Sequence, residues 1–264
     1  MELIVQRQGK EIYRREGPEG PLRVKLFGES VPASDVLTEA LNHARAFEAG
    51  LPVPPLREVT KLSGAPQGPQ ALWGGVDGRW AVIADFIDGP TLLERMEAQP
   101  GEPQWMELFV RLQMQVHAAG APQLQRQKDK LNRRISAGAA FGLDATTRYE
   151  LHVRLEAMPD HRKVCHGDFV PSNVLLRGEE AFIIDWSHAA QGNASADAAN
   201  TWLTLLLQGR DELAAAYLKL YCERSDTALQ YIRRWIPIVA GAQVCKGKTE
   251  EERAFYRKWC EGIV

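Results

Sequence analysis

The 264-residue chain has only four cysteines, Cys165, Cys222, Cys245 and Cys260, and no two stand at CxxC spacing. That excludes a disulfide scaffold and a cysteine-rich zinc site, and the four read as reduced thiols. Long hydrophobic runs are also missing. The most apolar stretch of the second half, around Trp202 to Leu207, is far short of the ~20 residues that span a bilayer. Met1 to Lys10 holds only the short run Leu3-Ile4-Val5, so no signal peptide is expected. No charge of one sign dominates either. The 32 basic and 34 acidic residues leave a net charge of -2, too little for a field that would gather nucleic acid or an anionic membrane. The expectation is a cytoplasmic protein, monomer or weak dimer, with no nucleic-acid or membrane partner.

What is present is ordinary in proportion: 45% hydrophobic and 25% charged residues, with seven tryptophans and eight phenylalanines to build a core. The length is just past the ~250 residues at which one hydrophobic core stops growing, so one large domain or two lobes is expected. Short β-candidates run over Glu2–Arg7, Glu11–Arg15 and Leu22–Phe27, with a turn at Pro18–Pro21. In the third, Leu22, Val24 and Leu26 alternate onto one face and leave Arg23 and Lys25 on the other. A helix is predicted from about Ser34 to Ala49, capped by Ser34 or Asp35 and ended by Gly50, with Val36, Leu37, Ala40, Leu41, Ala44 and Phe47 as its apolar stripe. Gln70–Trp73 and Trp80–Phe86 read as a hairpin around residues 74–78.

After Asp88-Gly89-Pro90 helical patterns take over, at Thr91–Ala98, Gln104–Ala118, Lys128–Ala137 and Thr146–Met158. Short β-like runs return at Lys163–Cys165, Val174–Leu176 and Ala181–Ile184, and helices then resume. The predicted fold is α+β and two-lobed: a small β-rich lobe with one helix (residues 1–88) and a larger, mainly helical lobe (residues 89–264), hinged near Asp85 to Pro90.

The densest chemical signal begins at Val164, as V-C-H-G-D-F-V-P-S-N-V-L-L, and resumes after the turn at Arg177-Gly178-Glu179 as A-F-I-I-D-W. Asp168 and Asn173 are five positions apart on a loop, and Asp185 ends an apolar strand. Phosphoryl transfer needs one carboxylate near the attacking hydroxyl, and an amide and a second carboxylate to hold Mg²⁺ on the nucleotide phosphates. The spacing is that of the kinase catalytic loop. On these residues the chain resembles the aminoglycoside phosphotransferase and choline kinase family, a small-molecule branch of the protein-kinase-like fold with the pattern H-G-D-x-x-x-x-N followed by a strand ending in Asp. Many members carry a His where this chain has Val170.

The resemblance implies Asp168 as catalytic base or orienter of the acceptor hydroxyl, Asn173 and Asp185 as magnesium ligands, and His166 as a brace for the loop. Asp197 fits the later Asp that ties down the catalytic region. Lys25 in R-V-K-L-F is placed like the lysine that holds the α- and β-phosphates, with Glu39 as its partner and Glu29 as a weaker rival. No G-x-G-x-x-G occurs, so the turn Gln8-Gly9-Lys10 would cover the nucleotide with its backbone amides. A-D-F-I-D-G fits the interlobe linker, where adenine would bond the Asp85 carbonyl and the Ile87 amide, with Ala84 at the back of a roomy purine pocket.

The implied activity is ATP- or GTP-dependent, Mg²⁺-requiring transfer of the γ-phosphoryl group to a hydroxyl of a small metabolite or antibiotic. A nucleotide-binding pseudokinase is the rival reading, against which the retained Lys25, Asp168, Asn173 and Asp185 speak. A protein kinase is disfavoured by the short stretch from Asp185 to Asp197. Residues 201–264 carry ten Lys and Arg against eight Asp and Glu. A polycationic aminoglycoside would call for an acidic excess there, so the acceptor is expected to be neutral or of mixed charge. Arg233, Arg234 and Trp235 could line its pocket, His188 could approach it, and Trp186 could wall it off. Core packing is the alternative for Trp186, Trp202, Tyr231 and Trp235.

Overall fold

The alternating N-terminal segments pair into a five-stranded antiparallel sheet in the order β1-β2-β3-β5-β4. The computed structural model describes residues 1–7, 9–62, 78–121 and 123–261. The strands are β1 (Glu2–Arg7), β2 (Lys10–Gly17), β3 (Gly20–Phe27), β4 (Leu56–Lys61) and β5 (Trp80–Asp85). Hairpin pairing of β2 with β3 continues to Gly17 opposite Gly20, leaving only Pro18 and Glu19 in the turn. The strand expected at Gln70–Trp73 and most of its turn lie outside the described residues. The observed partner of β5 on that side is β4, in register from Leu56 opposite Ala84 to Lys61 opposite Trp80. The sequence reading has no strand at β4, because Leu-Arg-Glu-Val-Thr-Lys is charged and does not alternate. Its place at the sheet edge explains that, since an edge strand tolerates charge where a central one does not.

The helix after the third strand is α1 (Ala33–Glu48). Two expectations for it need correction. Neither Ser34 nor Asp35 caps it: Pro32 occupies the N-cap without a side-chain hydrogen bond, which puts both residues in the first turn. The apolar stripe is also misassigned. Val36, Glu39, Ala40, Asn42, His43 and Ala46 are buried, whereas Leu37, Leu41 and Phe47 are 48%, 49% and 49% exposed. Polar groups take the inner face because each finds a partner there: Asn42 donates to the Trp186 carbonyl at 3.2 Å, and the His43 ring pairs with the Pro54 carbonyl at 2.6 Å. Gly50 does end the helix as expected, at φ 75°, with Gly50 N bonded to Phe47 O and Leu51 N to Ala46 O.

Both faces of β3 are used. Val24 and Leu26 pack with Leu62, Ala81 and Ile83 on one side. Phe27 packs with Val36, Ala40 and Val82 on the side covered by α1. Lys25 therefore points beneath a helix, not into water, and is 1% exposed.

Two compact units are distinguished: Met1–Thr91 with Val174–Ser187, and Leu92–Asn173 with His188–Val264. The division at residues 88 and 89 expected from the sequence would put Asp185 with the helices, whereas here it belongs to the same unit as Lys25. The hairpin β7 (Val174–Arg177) and β8 (Glu180–Ile183) is tied to the first unit through Leu176 N to Pro90 O at 2.9 Å and Ile183 N to Pro52 O at 2.7 Å.

The second unit is helical: α2 (Leu92–Ala98), α3 (Pro103–Ala118), α4 (Gln127–Ala137), α5 (Ala145–Glu156), α6 (Ala194–Leu207), α7 (Asp211–Ser225), α8 (Leu229–Val244) and α9 (Glu250–Cys260). Its small ladder pairs β6 (Lys163–Cys165) with β9 (Ala190–Gly192), the latter too short to leave a sequence pattern. Helix α6 is capped by Asn193, whose side chain accepts from Ser195 N at 2.9 Å. Among the described residues no helix is long and apolar enough to cross a membrane.

Among the described residues of the first unit Gly89 is the tightest glycine approach to backbone, because a Cβ there would collide with the Leu176 carbonyl. Gly89→Ala is expected to cost at least ~2 kcal/mol, since the neighbouring backbone must move. Urea unfolding followed by tryptophan fluorescence checks this.

Candidate active site

The chemistry of the first unit converges on one ammonium. Lys25 Nζ donates to Glu39 Oε1 in a short buried contact and to Asp185 Oδ1 at 3.2 Å. Glu29, the rival partner, is exposed and makes no ion pair with Lys25 among the described residues. Asp185 follows β8 and has a left-handed backbone at φ 66°, uncommon for a residue with a side chain although Asp adopts it more readily than most. Its carboxylate is fully engaged. Oδ1 also accepts from Ser187 Oγ at 3.0 Å, and Oδ2 accepts from Lys10 Nζ at 3.0 Å.

Burial works against charge on all three groups, and pairing decides the outcome differently for each. Burial pushes the Lys25 ammonium below its ordinary range despite Asp185 and Glu39. Burial likewise favours a neutral Asp185, but Lys25 and Lys10 hold its carboxyl well below the usual range. At Lys10, burial lowers the pKa and the Asp185 charge more than reverses it. Lys10 went unrecognised in the sequence except as part of a turn. Its signal is slight: the first residue of β2, opposite Phe27 of β3.

Gly9 lies in the β1–β2 turn with φ 79°, and its carbonyl accepts from Gly28 N at 2.9 Å. Asp85 closes β5 with its carboxylate in a two-point pair to Arg57, Nε to Oδ1 at 2.5 Å and Nη2 to Oδ2 at 3.0 Å. Ile87 and Ala84 are buried. Trp186 is fully buried and donates from Nε1 to Ile183 O at 3.0 Å, which makes it a core residue.

The second unit holds the loop that carries Asp168. Asn173 Nδ2 donates to the Asp168 carbonyl at 2.9 Å and to its Oδ2 at 3.2 Å. The amide thus holds the half-buried Asp168 carboxylate in place. His166 is buried, accepts from Asp168 N at 3.2 Å through Nδ1, and lies edge-on to Phe169. Gly167 has φ 78°, and a Cβ there would strike the His188 carbonyl.

Helix α6 clamps this loop from one face. Asp197 Oδ2 accepts from His166 N at 3.1 Å and Oδ1 from Gly167 N at 2.7 Å. Asn200 Nδ2 donates to Gly167 O at 3.0 Å, and Thr201 Oγ1 donates to Phe169 O at 2.8 Å. Positions 197, 200 and 201 follow the i, i+3, i+4 rule, so they leave the helix side by side. Behind them the His117 ring pairs with Asp197 at 3.0 Å and with Tyr221 at 3.0 Å, while Gln113 bridges Thr201 and Tyr217. Asn200, Thr201, Gln113 and His117 were missed. The helical spacing from Asp197 could have found the first two.

The aromatic residues considered for an acceptor pocket are scattered. Trp202 packs edge-on against Trp259, Tyr231 accepts from Asn193 at 2.7 Å, and Trp235 is fully buried. Arg233 and Arg234 do line a groove of about 470 Å³ with Arg154, Gln230 and Pro237, but both are exposed. His188 is half-buried and presents its carbonyl to Lys130 Nζ at 2.5 Å.

A paired lysine under a helix, a clamped Asp–Asn loop and an antiparallel sheet define a protein-kinase-like α+β fold. The aminoglycoside phosphotransferase APH(4)-Ia, solved as a thermostable mutant with AMP-PNP and hygromycin B, is similar over 99% of this chain and 91% of its own, with a TM-score of 0.70 and 16% identity. A choline/ethanolamine kinase family protein from Mesorhizobium loti is similar over 98% and 85%, with a TM-score of 0.61 and 16% identity. An ethanolamine kinase from Plasmodium vivax is similar over 100% and 82%, with a TM-score of 0.65 and 10% identity. A profile of the phosphotransferase enzyme family matches residues 6–235, and the chain belongs to that family. Comparison with curated proteins found no match.

Burial opposes charge on Asp197, but the His117 hydrogen bond and charge hold its carboxyl below the usual range. Asp197 and Asp185 therefore stabilise the fold above the unfolded carboxyl value of about 4, and that contribution disappears as the pH falls through their lower folded values. Urea titrations from pH 6 downward should show stability declining below about pH 4. Asp197→Asn places an NH₂ group among N–H donors and should cost ~3 kcal/mol at pH 7, with a flatter acid limb than the wild type.

Proposed function

We propose that the protein is a nucleotide-dependent small-molecule kinase that transfers the γ-phosphoryl group of ATP or GTP to a hydroxyl. The observation that carries this reading is the buried Lys25 ammonium shared by Glu39 and Asp185. A buried ion pair is a poor source of stability, but a fixed cation of this kind is what the α- and β-phosphates require. The likeness to a phosphotransferase solved with AMP-PNP supports a nucleotide donor.

Residues 1–88 would serve as the nucleotide lobe and 89–264 as the catalytic and acceptor lobe. Gly9 would cover the phosphates, and the Asp85 carbonyl and Ile87 amide would meet the purine. The Arg57 pair occupies only the Asp85 side chain, which is compatible with a backbone role.

The residue types suit Mg²⁺: the Asp185 carboxylate, held anionic by two lysines, and the Asn173 amide would be its ligands. Among the described residues no group of three or more His, Cys, Asp and Glu could hold a metal alone, so the cation would arrive with the nucleotide. When bound, it would neutralise charge on the phosphates.

In the transfer itself the acceptor oxygen forms a bond to the γ-phosphorus as the bond to the β–γ bridging oxygen breaks. Asp168 orients the hydroxyl and receives its proton. The Asn173 amide holds that carboxylate in one rotamer, and the α6 clamp fixes the backbone beneath it. A chain that consumes nucleoside triphosphate in this way would work in the cytoplasm.

Asp168→Ala should lower kcat by ~10³-fold while nucleotide affinity stays close to wild type. Asp185→Ala should lower turnover and also weaken magnesium-nucleotide binding by about tenfold or more. Coupled ADP-release assays and calorimetry give the two readouts. Equal turnover by the wild type and Asp168→Ala on a phosphorylated acceptor would refute the mechanism.

A further inference from the structure

Next to the Asp168 loop, the second unit contains a small open recess of about 30 Å³. Its lining includes Lys130 and Arg134 of α4, Gly167 of the loop, and Asn200 and Gln243. Lys130 and Arg134 are four positions apart, so both side chains leave the same face of the helix. Two cations so placed repel each other and are normally relieved by a carboxylate. Here, among the described residues, neither forms an ion pair. Lys130 donates only to the His188 carbonyl.

Asp197 also lines the recess, but it is already committed to the His117 ring and to the His166 and Gly167 amides. Gln243 and Asn200 are joined by a short amide hydrogen bond, and Asn200 holds the Gly167 carbonyl. The floor of the recess is therefore continuous with the loop that bears Asp168, whose charge reaches Arg134. Burial, together with repulsion from Arg134 and Lys246, brings the Lys130 ammonium down to about 7. Burial lowers Arg134 as well. The larger groove at Arg233 and Arg234 lacks these features, because its arginines are solvated and no residue of the Asp168 loop lines it.

We propose that this recess is an anion subsite in which Arg134 and Lys130 bind a carboxylate or phosphate group carried by the hydroxyl acceptor. The inference rests on the kinase reading and deepens it. The acceptor would be an anionic hydroxy compound, with Arg134 as the two-point contact that a planar guanidinium makes with carboxylate or phosphate oxygens. A polycation would meet two like charges beside the reacting hydroxyl. Lys130 also braces the His188 carbonyl, whereas Arg134 makes no such contact among the described residues.

Calorimetry on the full chain tests it, with AMP-PNP and magnesium bound first and then inorganic phosphate, glycerol, D-glycerate and glycerol 3-phosphate titrated separately. Inorganic phosphate should bind. At least one of the two anionic compounds should bind about tenfold or more tightly than glycerol, and which one tells carboxylate from phosphate. Arg134→Met should abolish the preference and Arg134→Lys should keep part of it, both with thermal unfolding near that of the wild type. Equal affinity for charged and neutral compounds, no binding by any anion, or a preference that survives in both Arg134→Met and Lys130→Met would overturn the proposal. Failure of the wild type to bind AMP-PNP would instead bring down the kinase reading, and the subsite with it.

Discussion

A lysine beneath a helix is the constraint on which the first unit is organised. An ammonium removed from water is expensive unless its charge and its hydrogens are met. Lys25 stands on the α1 face of β3, so Glu39 must face inward from α1 and Asp185 must reach it from the end of β8. Those two demands account for features that packing alone does not. The inner face of α1 carries Glu39, Asn42 and His43, while Leu37, Leu41 and Phe47 remain half exposed. The backbone of Asp185 adopts a left-handed turn that its Lys25, Lys10 and Ser187 contacts hold in place. With two cations on one carboxylate, the negative charge of Asp185 is compensated from both of its oxygens.

The second unit solves a different problem with the same means. A loop that must present Asp168 half exposed cannot rely on sheet or helix bonds for its own backbone. Helix α6 supplies them from side chains: a carboxylate for two N–H groups, an amide and a hydroxyl for two carbonyls. Each supporting group is itself held, Asp197 by His117, His117 by Tyr221, and Thr201 by Gln113. A buried network so fully satisfied is stiff, and it holds the loop that bears Asp168 in one conformation.

Much of this was legible in the sequence because it is encoded locally. The alternation in Leu22–Leu26 put Lys25 on the face opposite Val24, and the H-G-D-x-x-x-x-N spacing placed Asp168 and Asn173 on one loop, although their mutual hydrogen bonds were not foreseen. The readings failed where tertiary partners overrule local pattern. In α1 the hydrophobic residues looked like the core face, but ion pairing and carbonyl partners drew the polar side chains inward. Strand β4 was invisible because an edge strand needs few apolar residues, and β9 because three residues make no period. Lys10 looked like an ordinary turn residue. Only the fold brings a side chain 175 positions away in sequence to within 3.0 Å of it.

The charge balance of residues 201–264 argued against a polycationic acceptor, but a sum over sequence cannot locate a field. The structure distributes those charges unevenly. Arg224 pairs with Glu107, Arg210 with Glu97 and Arg257 with Glu250, all at the surface, where such pairs contribute little. Arg233 and Arg234 face solvent. Two half-buried cations that form no ion pair among the described residues and line a recess, Lys130 and Arg134, lie on α4, outside the segment that was counted. A charge matters to a ligand in proportion to how little water and how few counter-charges surround it. By that measure the recess outweighs the whole C-terminal count, and it turns an expectation of a neutral or mixed-charge acceptor into one of an anionic acceptor.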